Sequence, residues 1–148
     1  MDKIVKRQWT DDEYADWLAS LETRNTPRNT PQDLYEIRHA GDKNYRLTGG
    51  GEKFWADGLE AKTVVLEAKK IVTPARSPFI PTSQLETELR EMINAKVRDE
   101  FRRLALILRD AGNPLTSVRI IVSDAQARSF FESLLRNYQL PGEVVVKN

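Results

Sequence analysis

The sequence predicts an α/β fold, a central mixed β-sheet flanked by helices, and three features of the chain predict it. Between Asn44 and Val72, aromatic and β-branched runs are broken by the turn signals "TGGG" and "DG", the texture of consecutive short strands. Leu85, Leu89, Ile93, Val97, Phe101, Leu104 and Leu108 then recur three or four apart, tracing one apolar stripe on a long helix that ends near Gly112. Beyond it, "SVRIIVS", "DAQARSFFESLLRNYQ" and "GEVVVK" read as strand, amphipathic helix and strand, so helices and strands alternate as they do when helices cover a sheet.

Taken in order, Thr10 followed by Asp11, Asp12 and Glu13 forms a capping box, with Trp9 and Tyr14 placed as a hydrophobic staple. Tyr14, Trp17, Leu18 and Leu21 follow at helical spacing, which gives a first helix of about three turns. "NTPRNT" reads as a linker. Thr30 then caps a second short helix, with Pro31 at its first position and Gly41 just past its end, and this places Tyr35 and Glu36 inside the helix. A strand over "LYEIRHA" is the competing assignment. "NYRLT", "EKFWA" and "TVVLEAKKIV" are three successive strands. "GGGEKF" lacks the spacing of a phosphate-binding loop and is a hairpin turn, while "TPARSPFIPTS", with three prolines, is a loop. The order is therefore α-β-β-β-α-β with a further α-β at the C-terminus. It forms a single domain over residues 1–148, in which residues 1–29 are an N-terminal helix and linker preceding the core.

Composition bounds the function. With 40% apolar and 30% charged residues and a net charge of +1, the chain is no bulk polycation, so any nucleic-acid site has to be local. The absence of cysteine removes disulfides, thiol catalysis and cysteine-ligated zinc. His39, the only histidine, offers neither a histidine-ligated zinc site nor a Ser-His-Asp signature and reads as a surface or capping residue. No apolar stretch reaches signal-peptide or membrane-span length, so the expectation is a soluble protein with no membrane span, or the soluble tail of a larger polypeptide.

The segment "LEAKTVVLEAKK" repeats LEAK seven residues apart. A coiled-coil heptad would put Lys62 and Lys69 on its seam, which cannot pack, and the β-branched "TVV" between the repeats favours a strand. On a strand, Val64, Leu66 and Ala68 face one way while Val65, Glu67, Lys69 and Ile71 face the other. Both faces are largely apolar, as in an interior strand covered on both sides, so Glu67 and Lys69 need a partner or a ligand. Ordinary ion pairing across a half-solvated face would satisfy them. Asp57 argues for more, because a strand ending there and a turn through Gly58 bring its carboxylate beside Glu67. Two carboxylates about 4 Å apart repel by roughly 4 kcal/mol, which a hard divalent cation such as Mg²⁺ relieves. Lys69, two residues beyond Glu67 and on the same face, is placed to orient water or to stabilise charge on a phosphate. The first LEAK lies in the turn and is coincidence.

Asp57 followed ten residues later by Glu67-Ala68-Lys69 resembles the PD-(D/E)xK nuclease superfamily, the restriction-endonuclease fold. "WADG" followed by "LEAKK" is similar, more narrowly, to the restriction-endonuclease-fold toxin domains of bacterial polymorphic toxins. Ala56 stands where the superfamily name has proline, a position at which the superfamily varies. The resemblance implies a restriction-endonuclease-like core and a Mg²⁺- or Mn²⁺-dependent endonuclease, most often a DNase. It implies a secreted effector of interbacterial competition that acts in the target-cell cytoplasm and is restrained by a cognate immunity protein. It also implies that Asp57 and Glu67 are metal ligands and Lys69 the catalytic lysine, that Glu36 is the additional acid from the preceding helix, and that Glu100 and Arg103 are polar candidates on the long helix. Arg38, Lys43, Arg46, Lys53, Lys62, Lys70 and Arg76, interleaved with Tyr45, Phe54 and Trp55, are either a phosphate-gripping cluster or a lysine-protected sheet edge. With the motif, Lys70, Arg46, Lys53 and Arg103 become the nucleic-acid-binding candidates. An RNA-directed nuclease and a non-catalytic binding module with a structural Glu67–Lys69 pair are the alternatives.

Overall fold

The computed structural model describes residues 3–148. The two N-terminal cap signals hold. Thr10 accepts from the Glu13 amide and begins α1 (Asp11–Ser20), and Thr30 accepts from the Asp33 amide and begins α2 (Pro31–Ala40), each in a reciprocal capping box. Gly41 follows α2 at φ 107°, a conformation open to glycine and strained for other residues. The helical assignment thus prevails over a strand at "LYEIRHA". Thr30→Ala is expected to cost about 1 kcal/mol, lowering Tm by roughly 3 °C in a thermal melt.

The strands form two sheets where the sequence suggested one. β1 (Thr23–Asn25), β2 (Lys43–Gly49) and β3 (Glu52–Ala56) make an antiparallel sheet, closed between β2 and β3 by the Gly50-Gly51 turn. β4 (Gly58–Glu60), β5 (Val64–Lys69), β6 (Ser117–Val122) and β7 (Gly142–Val146) make the mixed sheet, with β4 antiparallel to β5 and the other pairs parallel. β1 lies within the expected N-terminal linker region, and β4 occupies the first LEAK. Ala61 and Lys62, at φ 52° and 67°, then turn the chain into β5, so the echo of the motif is a strand end and a turn.

The parallel pairs are joined through helices, α3 (Thr87–Arg109) between β5 and β6 and α4 (Arg128–Asn137) between β6 and β7. The apolar stripe of α3 buries Val97, Phe101, Leu104 and Leu108, while Leu89 near its start is 37% exposed and Leu85 precedes the helix. Those side chains join Phe131 and Leu134 of α4 and Val65, Val118, Ile120 and Val122 of the sheet in the main core. On the opposite face, Tyr35 of α2 packs with Ala68 and Ile121 in a smaller core. β5 is therefore an interior strand covered on both faces, as its composition implied. Glu67, on the face of Val65, points toward the side that α3 covers.

Candidate active site

The last paired rung between β4 and β5 is Gly58 opposite Leu66. One residue earlier the chain has crossed from the first sheet to the second, and that residue is Asp57. Its amide donates to Glu67 Oε2 at 2.9 Å, and the Ala68 amide donates to Asp57 Oδ2 at 2.8 Å. The two acids thus take over the next rung of the ladder with their own side chains. Glu67 is 3% exposed. Burial pushes the Asp57 carboxyl up to about 7 against the pull of the Lys69 ammonium, and the Glu36 carboxyl beside it adds to the rise. Burial and the facing Asp57 hold Glu67 well above its ordinary 4.5.

Burial works to lower Lys69, but the carboxylates of Glu67, Asp57, Glu100 and Glu36 outweigh it and hold the ammonium above its ordinary value. Among the described residues, neither Glu67 nor Lys69 belongs to an ion pair. The lysine is attracted by the acids without being tied to one of them, so the structural Glu67–Lys69 pair of the alternative reading is not formed.

Glu36 is buried on α2, where Oε1 accepts from Thr26 Oγ1 at 3.3 Å and from Asn44 Nδ2. Gln32, one helical turn earlier, donates to the Ala68 carbonyl at 2.8 Å and accepts from the Lys70 amide at 2.7 Å. These bonds clamp α2 to β5 just beyond the point where β4 ends. Sequence reasoning found Glu36 only through the family resemblance. It missed Gln32, Thr26, Asn44 and Arg24, whose roles come from contacts between distant segments and leave no local spacing.

Asp57, Glu67, Lys69 and Glu100 line a cavity of about 360 Å³ whose other walls are Arg24, Arg46, Lys53, Phe54, Trp55 and Arg103. Arg46, Lys53 and Arg103 are thus beside the acids. Arg46 pairs with Glu22 at 2.7 Å and Arg103 with Asp99 at 3.1 Å, whereas Lys53 makes no ion pair among the described residues. Lys70 lies elsewhere, with its ammonium 5.8 Å from the Tyr35 ring. Arg38, Lys43, Lys62 and Arg76 also lie outside the cavity lining, and Lys62 pairs with Asp11. His39 meets the Asn148 carbonyl oxygen at 3.1 Å, near the C-terminus. A further hollow of about 420 Å³, between residues 3–7 and the end of α3, has basic walls and no acidic group.

Among the described residues, no three His, Cys, Asp or Glu side chains are grouped to hold a metal by themselves. The donor set still fits Mg²⁺ or Mn²⁺, because Asp57 and Glu67 offer hard oxygens and each commits one oxygen to a backbone amide. Mg²⁺ ordinarily binds through one or two carboxylates and keeps waters and phosphate oxygens as its other ligands.

No helix among the described residues is long and apolar enough to cross a membrane. No curated protein and no solved structure matches the chain. Residues 31–141 match the family model described as restriction endonuclease fold toxin 2, a span that opens at the first residue of α2 and takes in Glu36, Asp57, Glu67 and Lys69. The mixed sheet with its flanking helices agrees with the restriction-endonuclease-like fold, and a toxin of this fold is broadly expected to be a nuclease. By this match over most of its length, the chain belongs to the restriction endonuclease fold toxin 2 family.

Proposed function

We propose that residues 1–148 act as one toxin domain, a metal-dependent endonuclease that hydrolyses phosphodiester bonds, with DNA as its principal substrate. The observation that carries this reading is the reciprocal bonding of Asp57 and Glu67 on one rung, within a cavity whose walls are largely basic. Asp57 and Glu67 would hold Mg²⁺ or Mn²⁺, which when bound supplies Lewis acidity toward phosphate and makes water more acidic. Lys69 remains an ammonium at neutral pH, so it acts as a hydrogen-bond donor and charge stabiliser and not as a base. Glu36, held by Thr26 and Asn44 outside the cavity lining, acts on the site by raising the proton affinity of Asp57. Arg46, Lys53 and Arg103 hold the phosphates on either side of the cut.

Family membership extends the reading to an effector that acts inside a competing cell and to an immunity protein that covers the cavity in the producer. The test is incubation of the chain with supercoiled plasmid and with total RNA in Mg²⁺, in Mn²⁺ and in EDTA. Nicking that requires metal is the expected result. Metal at a hundredfold excess over its Kd should also stabilise the fold by about 2.7 kcal/mol in thermal melts. Intact nucleic acid together with an unmoved melting temperature would overturn the assignment.

A further inference from the structure

On the wall of the cavity, the Arg24 guanidinium lies over the Trp55 ring with Cζ 4.2 Å from the ring centroid. Arg24 is exposed and makes no ion pair among the described residues. Its Nε donates to Asn44 Oδ1 at 3.2 Å, which anchors the guanidinium. Asn44 is the residue whose Nδ2 holds Glu36, so one buried amide ties the stack to the acids. Trp55 precedes Asp57 by two positions, about 7 Å of extended chain. The stack and the acids line one cavity.

Guanidinium groups and indole rings both offer π faces, and nucleobases stack on such faces. In a double helix those faces are covered by neighbouring base pairs, and only edges are presented in the grooves. We infer that the Arg24–Trp55 stack is a binding site for an unpaired nucleobase next to the scissile phosphate, so that the enzyme takes single-stranded or locally unpaired nucleic acid. This rests on the nuclease reading above and names its substrate class. The shared cavity supports it, since Arg24 and Trp55 line the same hollow of about 360 Å³ as Asp57, Glu67 and Lys69, so a base on the stack brings its own phosphate to the acids. Arg46 and Lys53, on neighbouring strands of the same sheet, supply charge for the backbone of that strand.

The test measures binding by fluorescence anisotropy in EDTA, using the Glu67→Gln background so that bound strands survive. Labelled single-stranded DNA, single-stranded RNA and a hairpin whose stem is fully paired and whose loop is a non-nucleotide linker are compared at one salt concentration. A single strand should bind at least about tenfold more tightly than the hairpin. Trp55→Ala should remove about tenfold of that affinity, the order expected of one lost base stack. Trp55→Phe should retain most of it, which separates stacking from damage to the fold. Whichever sugar binds better identifies the natural strand. Equal affinity for hairpin and single strand, or a Trp55→Ala protein that binds single strands like its parent, overturns the inference. Failure to cleave any nucleic acid in metal would instead strike the nuclease reading, and the binding comparison would still decide this one.

Discussion

Glu67→Gln is expected to reduce metal-dependent cleavage by about a thousandfold, roughly 4 kcal/mol of barrier, while making the metal-free fold more stable at pH 8. Both effects follow from two acids held close together out of water. The Asp57 carboxyl stands at about 7 against an ordinary 3.8, and Glu67 is also raised from 4.5. Above those ordinary values the unfolded chain has released protons that the folded chain still holds, so stability falls as pH rises toward 7 and is lowest beyond it. Replacing Glu67 by its amide removes an ionisable group whose charged form is penalised by burial and by Asp57, yet keeps an oxygen to accept from the Asp57 amide. The expected gain at pH 8 in EDTA is about 2 kcal/mol, or roughly 6 °C. It should shrink toward zero at pH 3, below the ordinary values of both acids, where each is largely protonated in the folded and the unfolded chain. Melts at the two pH values check this, and a variant that is equally stabilised at both would show that charge is not the cause.

Gly58→Ala is expected to destabilise the fold by about 3 kcal/mol and to lower cleavage further than that loss of stability explains. Gly58 has no unusual backbone angle; what it lacks is room. A Cβ there would run into the carbonyl oxygen of Ala40, backbone at the end of α2 that cannot turn aside like a side chain. Relief requires moving α2 or β4, and the first carries Glu36 and Gln32 while the second follows directly on Asp57. Chemical denaturation gives the stability change. Cleavage measured well below the variant's melting temperature gives the loss due to a displaced Asp57, and full activity there would mean that the site tolerates the shift.

Much of this was legible in the chain. The two cap boxes name their own residues, and the apolar stripe of α3 is long enough for its period to stand out. Glu67 and Lys69 were visible because charges on a strand with two apolar faces are anomalous wherever they occur. The break into two sheets was not legible, since Asp57 looks like the end of a hairpin whichever sheet the next strand joins. β1 was hidden because its three residues are all exposed and show no alternation. Thr26, Asn44 and Gln32 are unremarkable polar residues in the sequence, and only the packing of α2 against both sheets gives them partners.

The way Gln32 engages β5 bears on how copies of this protein behave toward one another. Past Leu66, β5 has lost β4 as its neighbour, and its backbone at Ala68 and Lys70 would otherwise be an open edge of the sort onto which foreign strands zip. A carboxamide that supplies both a donor and an acceptor closes this edge from within the same molecule. Crowded copies are thereby denied a place to polymerise, without the extra strand that would have walled off Asp57.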